Sequence, residues 1–343
     1  MLKIRENFIH SINKLAGNIP SKSLINITGQ KVIFPFYHCI SDEAPIHIKH
    51  LYKVKNVKQF EDDLEFLLKN YKPLDFSELN NFADNKKTIS KPSFLLTFDD
   101  GLSEFHNVIA PILLRKGIPA ICFLNSDFID NNALFYRYKA SLLIEHFNYS
   151  KFENKNEQIQ KLKSKYNLAH NSLKEILLSI NFENKEFLTE LADISNFNFS
   201  DYLNSKKPYL TSNQIISLKE KGFRFGSHSS NHPEYRFISN DEQIKQTIDS
   251  TNQVCHNYNL DYKYFSFPFT DYGVSKQFFD EIYNKNIVDL SFGCAGIKAD
   301  SAEKNIQRIS LEMNNLSAKQ IINSELIYYI FRAIFGKNKI KRT

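Results

Sequence analysis

The chain has 343 residues and carries 44 Lys and Arg against 38 Asp and Glu, a formal charge of +6. Hydrophobic residues at 42% and charged residues at 24% are ordinary for a chain that buries a sizeable core, which excludes a disordered polypeptide. The mild positive charge has no basic stripe interleaved with aromatics, so no nucleic-acid partner is expected.

In chain order, residues 1–30 predict a short helical extension. Residues 1–10 lack the apolar core of a secretory signal, and no apolar run of about 18 residues follows anywhere. The expected location is therefore the cytoplasm, or the inner face of the membrane. Residues 32–38 read as a first strand ending in Tyr37-His38. Phe60, Leu64, Leu67 and Leu68 recur at helical spacing and predict an amphipathic helix over 57–68. Residues 93–98 form a buried strand that stops on Asp99-Asp100-Gly101, a helix over 104–116 ends at Gly117, and residues 120–124 make the next strand. Strand, helix, strand alternation implies parallel pairing with right-handed crossovers.

Between 131 and 207 the pattern changes to polar, Lys- and Asn-rich helices, read as a helical cap inserted at a loop. The alternating pattern resumes at Thr211, with helices over 213–218, 240–258 and 275–285 and strands before His228, over 264–267 and over 288–292. Residues 326–335 are apolar and aromatic, and Lys337, Lys339, Lys341 and Arg342 follow. Such a segment either packs as a last helix or lies through 325–343 on an anionic membrane surface. Cys39, Cys122, Cys255 and Cys294 are scattered and form neither a disulfide framework nor a zinc ribbon.

Two clusters carry chemistry. An Asp-Gly pair can end a strand for local backbone reasons alone. More than a hundred residues on, however, come His228-Ser229-Ser230-Asn231-His232, two imidazoles that can reach one ion from a helical turn or from the ends of a tight loop. One carboxylate and two imidazoles leave coordination positions open, the catalytic arrangement for a divalent metal. Adjacent acids on a regular strand face opposite ways, and Gly101 permits the break that would aim both into one pocket.

Thr97-Phe98-Asp99-Asp100-Gly101 and His228-Ser229-Ser230-Asn231-His232 resemble the first two motifs of the polysaccharide deacetylases, the NodB-homology group of carbohydrate esterases. The resemblance runs from about residue 31 to 310. It implies an incomplete or irregular (β/α) barrel of about seven parallel strands over 31–320, interrupted by the 131–207 insertion, with 321–343 as an amphipathic basic tail. It also implies a hydrolase that removes an acetyl group, N-acetyl before O-acetyl, from a glycan substrate; the lack of an apparent export signal suggests an intermediate of cell-surface polysaccharide assembly as that substrate. By the same resemblance Asp100, His228 and His232 hold the metal and Asp99 is the general base. Zinc suits this donor set, and cobalt, nickel or manganese are alternatives.

The third motif, Phe265-Ser266-Phe267-Pro268-Phe269, departs from the family pattern by placing Ser266 where an Arg usually orients the base. Arg308 is the candidate replacement. Pro268 and Phe269 are expected to shape the pocket wall, and Tyr136, at the start of the insertion with Arg137 and Tyr138, to contact the sugar. The family's late motif supplies a His as general acid, yet no histidine lies beyond His256, which leaves His38. His47, His50, His106, His146, His170 and His256 read as ordinary polar residues. The missing Arg and late His keep a catalytically inactive carbohydrate binder in view. A glycosidase would need paired acids from separate strands, which adjacent acids beside two histidines do not match.

Overall fold

The computed structural model describes residues 2–83, 89–149, 156–168, 172–313 and 315–343. Its centre is a ring of short parallel strands: β1 (Pro35–Tyr37), β2 (Leu96–Phe98), β3 (Ala120–Leu124), β4 (Arg224–Ser227), β5 (Tyr264–Ser266), β6 (Leu290–Gly293), β7 (Asn305–Gln307) and β8 (Ile309–Ser310). Neighbours pair in chain order from β1 to β7, and β8 pairs back onto β1. Since β7 and β8 are one segment broken only at Arg308, that segment closes the barrel. The expected seven strands are thus seven segments, the last split in two.

Alternation along each strand sorts the core into two layers. Ile121 and Phe123 face inward with Phe34, Leu95, Tyr264, Phe292 and Ile306 and plug the interior. Ala120, Cys122 and Leu124 face outward, where the helices cover them. Such two-sided burial explains the unbroken apolar runs in the sequence. The strand expected over 93–98 is interrupted at Leu95. Ser93–Phe94 pairs with Val32–Ile33 and Lys72–Pro73 in a separate three-stranded sheet, and only Leu96–Phe98 enters the ring. The helix expected over 104–116 opens with a wide π turn, Phe105–Ile109, before Ala110–Lys116. Pro111 has no N–H to continue a regular ladder there.

Helix α1 (Leu2–Asn18) and helix α2 (Val57–Asn70) flank the start of the barrel. A capping box between Asn56 and Gln59 sets the start of α2, which buries Phe60, Leu64 and Leu67. Helix α3 (Tyr136–Tyr149) begins a helical insertion between β3 and β4, which has its own core of Leu143, Ile176, Leu177, Phe187, Leu188 and Leu191. The insertion returns beside the chemistry: Leu210 N donates to Gly101 O at 2.8 Å. Helix α4 (Asn240–Tyr258) covers β4 and β5.

Helix α5 (Ala318–Ile334) buries Ile321, Ile322 and Leu326 and lies along α1. Asn323 donates to the carbonyls of Ala16 and Ile19 at 2.9 Å each, and Arg5 pairs with Glu325. Phe331, Ile334 and Phe335 remain exposed. Among the described residues no helix is long and apolar enough to cross a membrane. Within the basic stretch after α5, Arg342 does not face solvent. Its side chain is only 4% exposed because it turns inward to bridge Asp271 and Asp300.

Candidate active site

Asp99 and Asp100 leave the end of β2 in different directions. Asp100 adopts φ +72° and Gly101 φ +63°, a left-handed pair that turns the chain sharply. Only glycine takes this conformation without penalty, and a Cβ at Gly101 would lie 2.8 Å from Leu124 Cδ2. Asp100 accepts the strain as a non-glycine residue, a cost of roughly 1–3 kcal/mol that is found where function demands a fixed side chain. Both carboxylates are buried at the barrel mouth.

His228 follows β4 directly, and His232 lies four residues on in a tight loop, where Ser229 has φ +64° and His232 φ +62°. His228 Nδ1 donates to Ser266 O at 2.8 Å, which leaves the Nε2 lone pair facing the acids. That Nε2 is 3.5 Å from Asp100 Oδ1, and His232 Nε2 is 3.2 Å from the same oxygen. Burial pushes the His228 pKa down to about 4, so the ring is neutral at pH 7. Among the described residues, the buried Asp100 Oδ1 has no hydrogen-bond partner. One ligand atom from each of the three residues falls within 4.8 Å of the others. Two imidazole nitrogens converging on an unsatisfied carboxylate oxygen fit a divalent cation, because a buried anionic oxygen left without a donor is otherwise costly.

The second Asp100 oxygen is not free. Tyr138, on α3, donates to Oδ2 at 2.7 Å. Its ring is backed by His47 at 4.8 Å, whose Nδ1 lies 2.8 Å from the Tyr202 hydroxyl. Burial lowers the His47 pKa to about 4. Among the other histidines of the expected ordinary set, His50 pairs with Glu145 at 2.7 Å, and His170 lies outside the described residues.

Asp99 has a different partner. Arg308, buried at the break between β7 and β8, donates Nη1 to Asp99 Oδ1 at 2.7 Å and Nη2 to Oδ2 at 2.8 Å. The guanidinium also donates to Thr97 Oγ1 at 3.0 Å, Ser266 Oγ at 2.7 Å and Gly293 O at 3.1 Å, so all its nitrogens are engaged. The small Ser266 leaves room for this fork, and its hydroxyl joins it. Burial alone would raise the Asp99 pKa, but Arg308, together with His228 and His38, outweighs it and holds the carboxyl below the ordinary range.

His38 stands at the end of β1, its Nδ1 2.5 Å from Glu312 Oε2. Glu312 Oε1 accepts from the backbone N–H of His38 at 2.9 Å and of Cys39 at 3.1 Å. Burial would lower the His38 pKa, yet the Glu312 carboxylate outweighs it and lifts the value to about 9, with smaller contributions from Asp100 and Asp99. His38 is therefore a cation at pH 7, held within electrostatic reach of both acids.

Phe135 and Phe269 flank His232, with ring centroids at 4.3 and 4.7 Å. Phe269 is 41% exposed and presents an aromatic face at the mouth, whereas Pro268 is buried behind it. Tyr136 points into the insertion, its ring 4.9 Å from Phe135 and 6.4 Å from Phe182. Glu312 and Phe135 are the site residues that sequence reasoning passed over. Phe135 was adjacent to the Tyr136-Arg137-Tyr138 cluster, and Glu312 follows the Arg308 segment by four positions.

The family model for polysaccharide deacetylases matches residues 86–280, more than half of the chain. The chain belongs to this family and is a hydrolase acting on acetylated sugars. The matched segment includes Asp99, Asp100, His228 and His232 but neither His38 nor Arg308. The fold is similar to that of the Streptococcus pyogenes deacetylase PplD in complex with acetate, at TM-score 0.55 and 16% identity over 86% of this chain and 98% of that one. It is similarly close to IcaB from Ammonifex degensii, at TM-score 0.54 and 13% identity over 86% and 97%. No curated protein sequence matches the chain.

Proposed function

We propose that the protein removes N-acetyl groups from a glycan by metal-dependent hydrolysis. The observation that carries this reading is the pair of differently held acids: Asp100 converging with His228 and His232, and Asp99 gripped by Arg308. Asp100, His228 and His232 would hold the ion, with zinc preferred and cobalt, nickel or manganese compatible with the same donors. Such an ion supplies Lewis acidity, drawing charge from the scissile carbonyl and acidifying water.

The chain's own residues do the rest. Asp99, kept ionised by Arg308, takes a proton from the attacking water as its oxygen bonds to the carbonyl carbon. Arg308 holds that carboxylate in one orientation and is itself a positioning residue. His38, charged through Glu312, gives its proton to the nitrogen as the carbon–nitrogen bond breaks, and acetate and a free amine result. A ready acid is needed more by an amine leaving group than by an alcohol, which favours N-acetyl over O-acetyl. Phe269, backed by His232 and the buried Phe135, offers an apolar face suited to a sugar ring. We assign the substrate to an acetylated glycan of cell-surface polysaccharide assembly.

The test is acetate release from N-acetylated oligosaccharides. Chelation should abolish it and added zinc restore it, and Asp99→Asn should lower kcat by roughly 10²–10⁴-fold with metal content unchanged. Activity that survives both treatments refutes the mechanism.

A further inference from the structure

Asp271 follows two residues after Phe269, and Asp300 lies in the short strand Ala299–Asp300; their carboxylates meet behind the catalytic mouth. Asn305 Nδ2 donates to Asp271 Oδ2 at 3.0 Å and to Asp300 Oδ2 at 2.9 Å, and Gln307 Nε2 does the same at 2.6 and 2.9 Å. Neutral amides cannot balance two buried charges. The cation comes from Arg342. Its Nη2 reaches both Oδ2 atoms, its Nε donates to Asp300 Oδ1 at 3.1 Å, and its Nη1 donates to Asp271 O at 2.6 Å. The segment that delivers it is tied down as Lys339–Ile340 beside Ala299–Asp300 and by Lys276 N donating to Thr343 O at 3.0 Å.

Two paths lead from Asp271 to the acids and imidazoles of the mouth. Along the chain, Asp271 ends the turn 268–271 in which Phe269 takes φ +55° and sets its ring 4.7 Å from His232. Across the sheet, Cys294 N donates to Asp271 Oδ1 at 3.3 Å, and Cys294 Sγ donates to Phe269 O at 3.1 Å. The residue before it, Gly293, accepts from Arg308 Nε and from Arg308 N, each at 3.1 Å. A side chain at Gly293 would collide with Asp271 and Gln307, so the carboxylate is packed directly against the strand end that anchors Arg308.

We propose that Arg342 is a positioning residue for the hydrolase. It fixes at once the 268–273 loop that seats Phe269 on His232 and the end of β6 that anchors Arg308. The proposal rests on the reading of Asp99 and His232 as parts of the active site. Without the guanidinium, Asp271 and Asp300 repel each other, the loop detaches, and both the aromatic wall and the base lose their fixed places. Arg342→Lys keeps the charge but not the fork, and so retains part of the effect.

The experiment compares Arg342→Ala, Arg342→Lys and the exposed-site control Lys341→Ala in the full chain, reading kcat and KM for acetate release and amide hydrogen exchange. Arg342→Ala should lower kcat/KM by roughly 10–100-fold, the scale of an ångström-sized misplacement. It should also speed exchange at 267–274 and 293–296 at least about tenfold while α2 stays protected. Arg342→Lys should recover part of both, and Lys341→Ala should match the wild type. If Arg342→Ala does not fold, the double variant Arg342→Ala/Asp300→Asn, which removes the surplus charge, carries the same measurements. Unchanged loop exchange, or unchanged kcat/KM in the folded variant, overturns the proposal. A wild type that releases no acetate overturns the deacetylase reading instead, and the loop exchange still reports on the latch separately.

Discussion

Arg308 reaches Asp99 across 209 positions of sequence and holds it by two parallel hydrogen bonds of 2.7 and 2.8 Å. A guanidinium fork against a carboxylate fixes orientation as well as charge. Removing it leaves Asp99 buried and unpaired. Arg308→Ala should therefore destabilise the fold by about 3–5 kcal/mol in urea unfolding. Arg308→Lys should fold better yet lower kcat by roughly 10–100-fold, because a point charge cannot replace the fork. Equal kcat in Arg308→Lys and wild type would remove the orienting role.

Tyr138 donates a hydrogen bond to Asp100 Oδ2 at 2.7 Å, the one donor to that oxygen among the described residues. Partners of this kind aim ligating carboxylates, and their loss typically costs 10–100-fold in metal affinity. Tyr138→Phe should weaken zinc binding by about that factor in a chelator-competition titration, with little change in thermal midpoint. The same zinc affinity in both proteins would show that Asp100 is aimed by its backbone alone.

The His38 pKa, lifted to about 9 by Glu312 against burial, stands above its ordinary 6.5. A raised value means that the stabilisation is fully present below about pH 6.5 and is lost as pH rises through about 9. Wild type should accordingly exceed His38→Gln in unfolding free energy by on the order of 1–2 kcal/mol near pH 6, and the gap should close towards pH 10. A gap independent of pH would mean that the pair carries no net charge interaction.

Gly101 combines φ +63° with a Cβ position 2.8 Å from Leu124 Cδ2. Gly101→Ala should cost roughly 1–3 kcal/mol and, by shifting Asp100, also reduce bound zinc in metal analysis. A variant as stable as wild type and fully loaded would show that the turn tolerates a side chain.

The acids and imidazoles are legible in the sequence because each lies in a short motif straight after an apolar strand, so local order reports their place. The barrel is legible for the same reason, since its parallel strands are buried on both faces and read as plain apolar runs. Other features depend on distant partners. Glu312 meets His38 across 274 positions, with no motif around either that names the other. Composition marks the last residues as basic, but Arg342 turns inward because Asp271 and Asp300 wait 71 and 42 positions upstream. The break at Leu95 follows from Ser93–Phe94 joining a second sheet, a choice of neighbours that an apolar run does not record.

The segment 305–310 both closes the ring and carries Arg308. In a chain emerging from the ribosome, β1 to β4, the three proposed ligands and Asp99 can all be in place before this segment exists. Until it docks, Asp99 has no guanidinium to face, and burying it would be unfavourable. Closure of the ring and pairing of the proposed base with its guanidinium are therefore the same event. On the proposed mechanism, a partly made or locally opened barrel would bring the three proposed ligands together while Asp99 is still not aligned to take a proton from the attacking water.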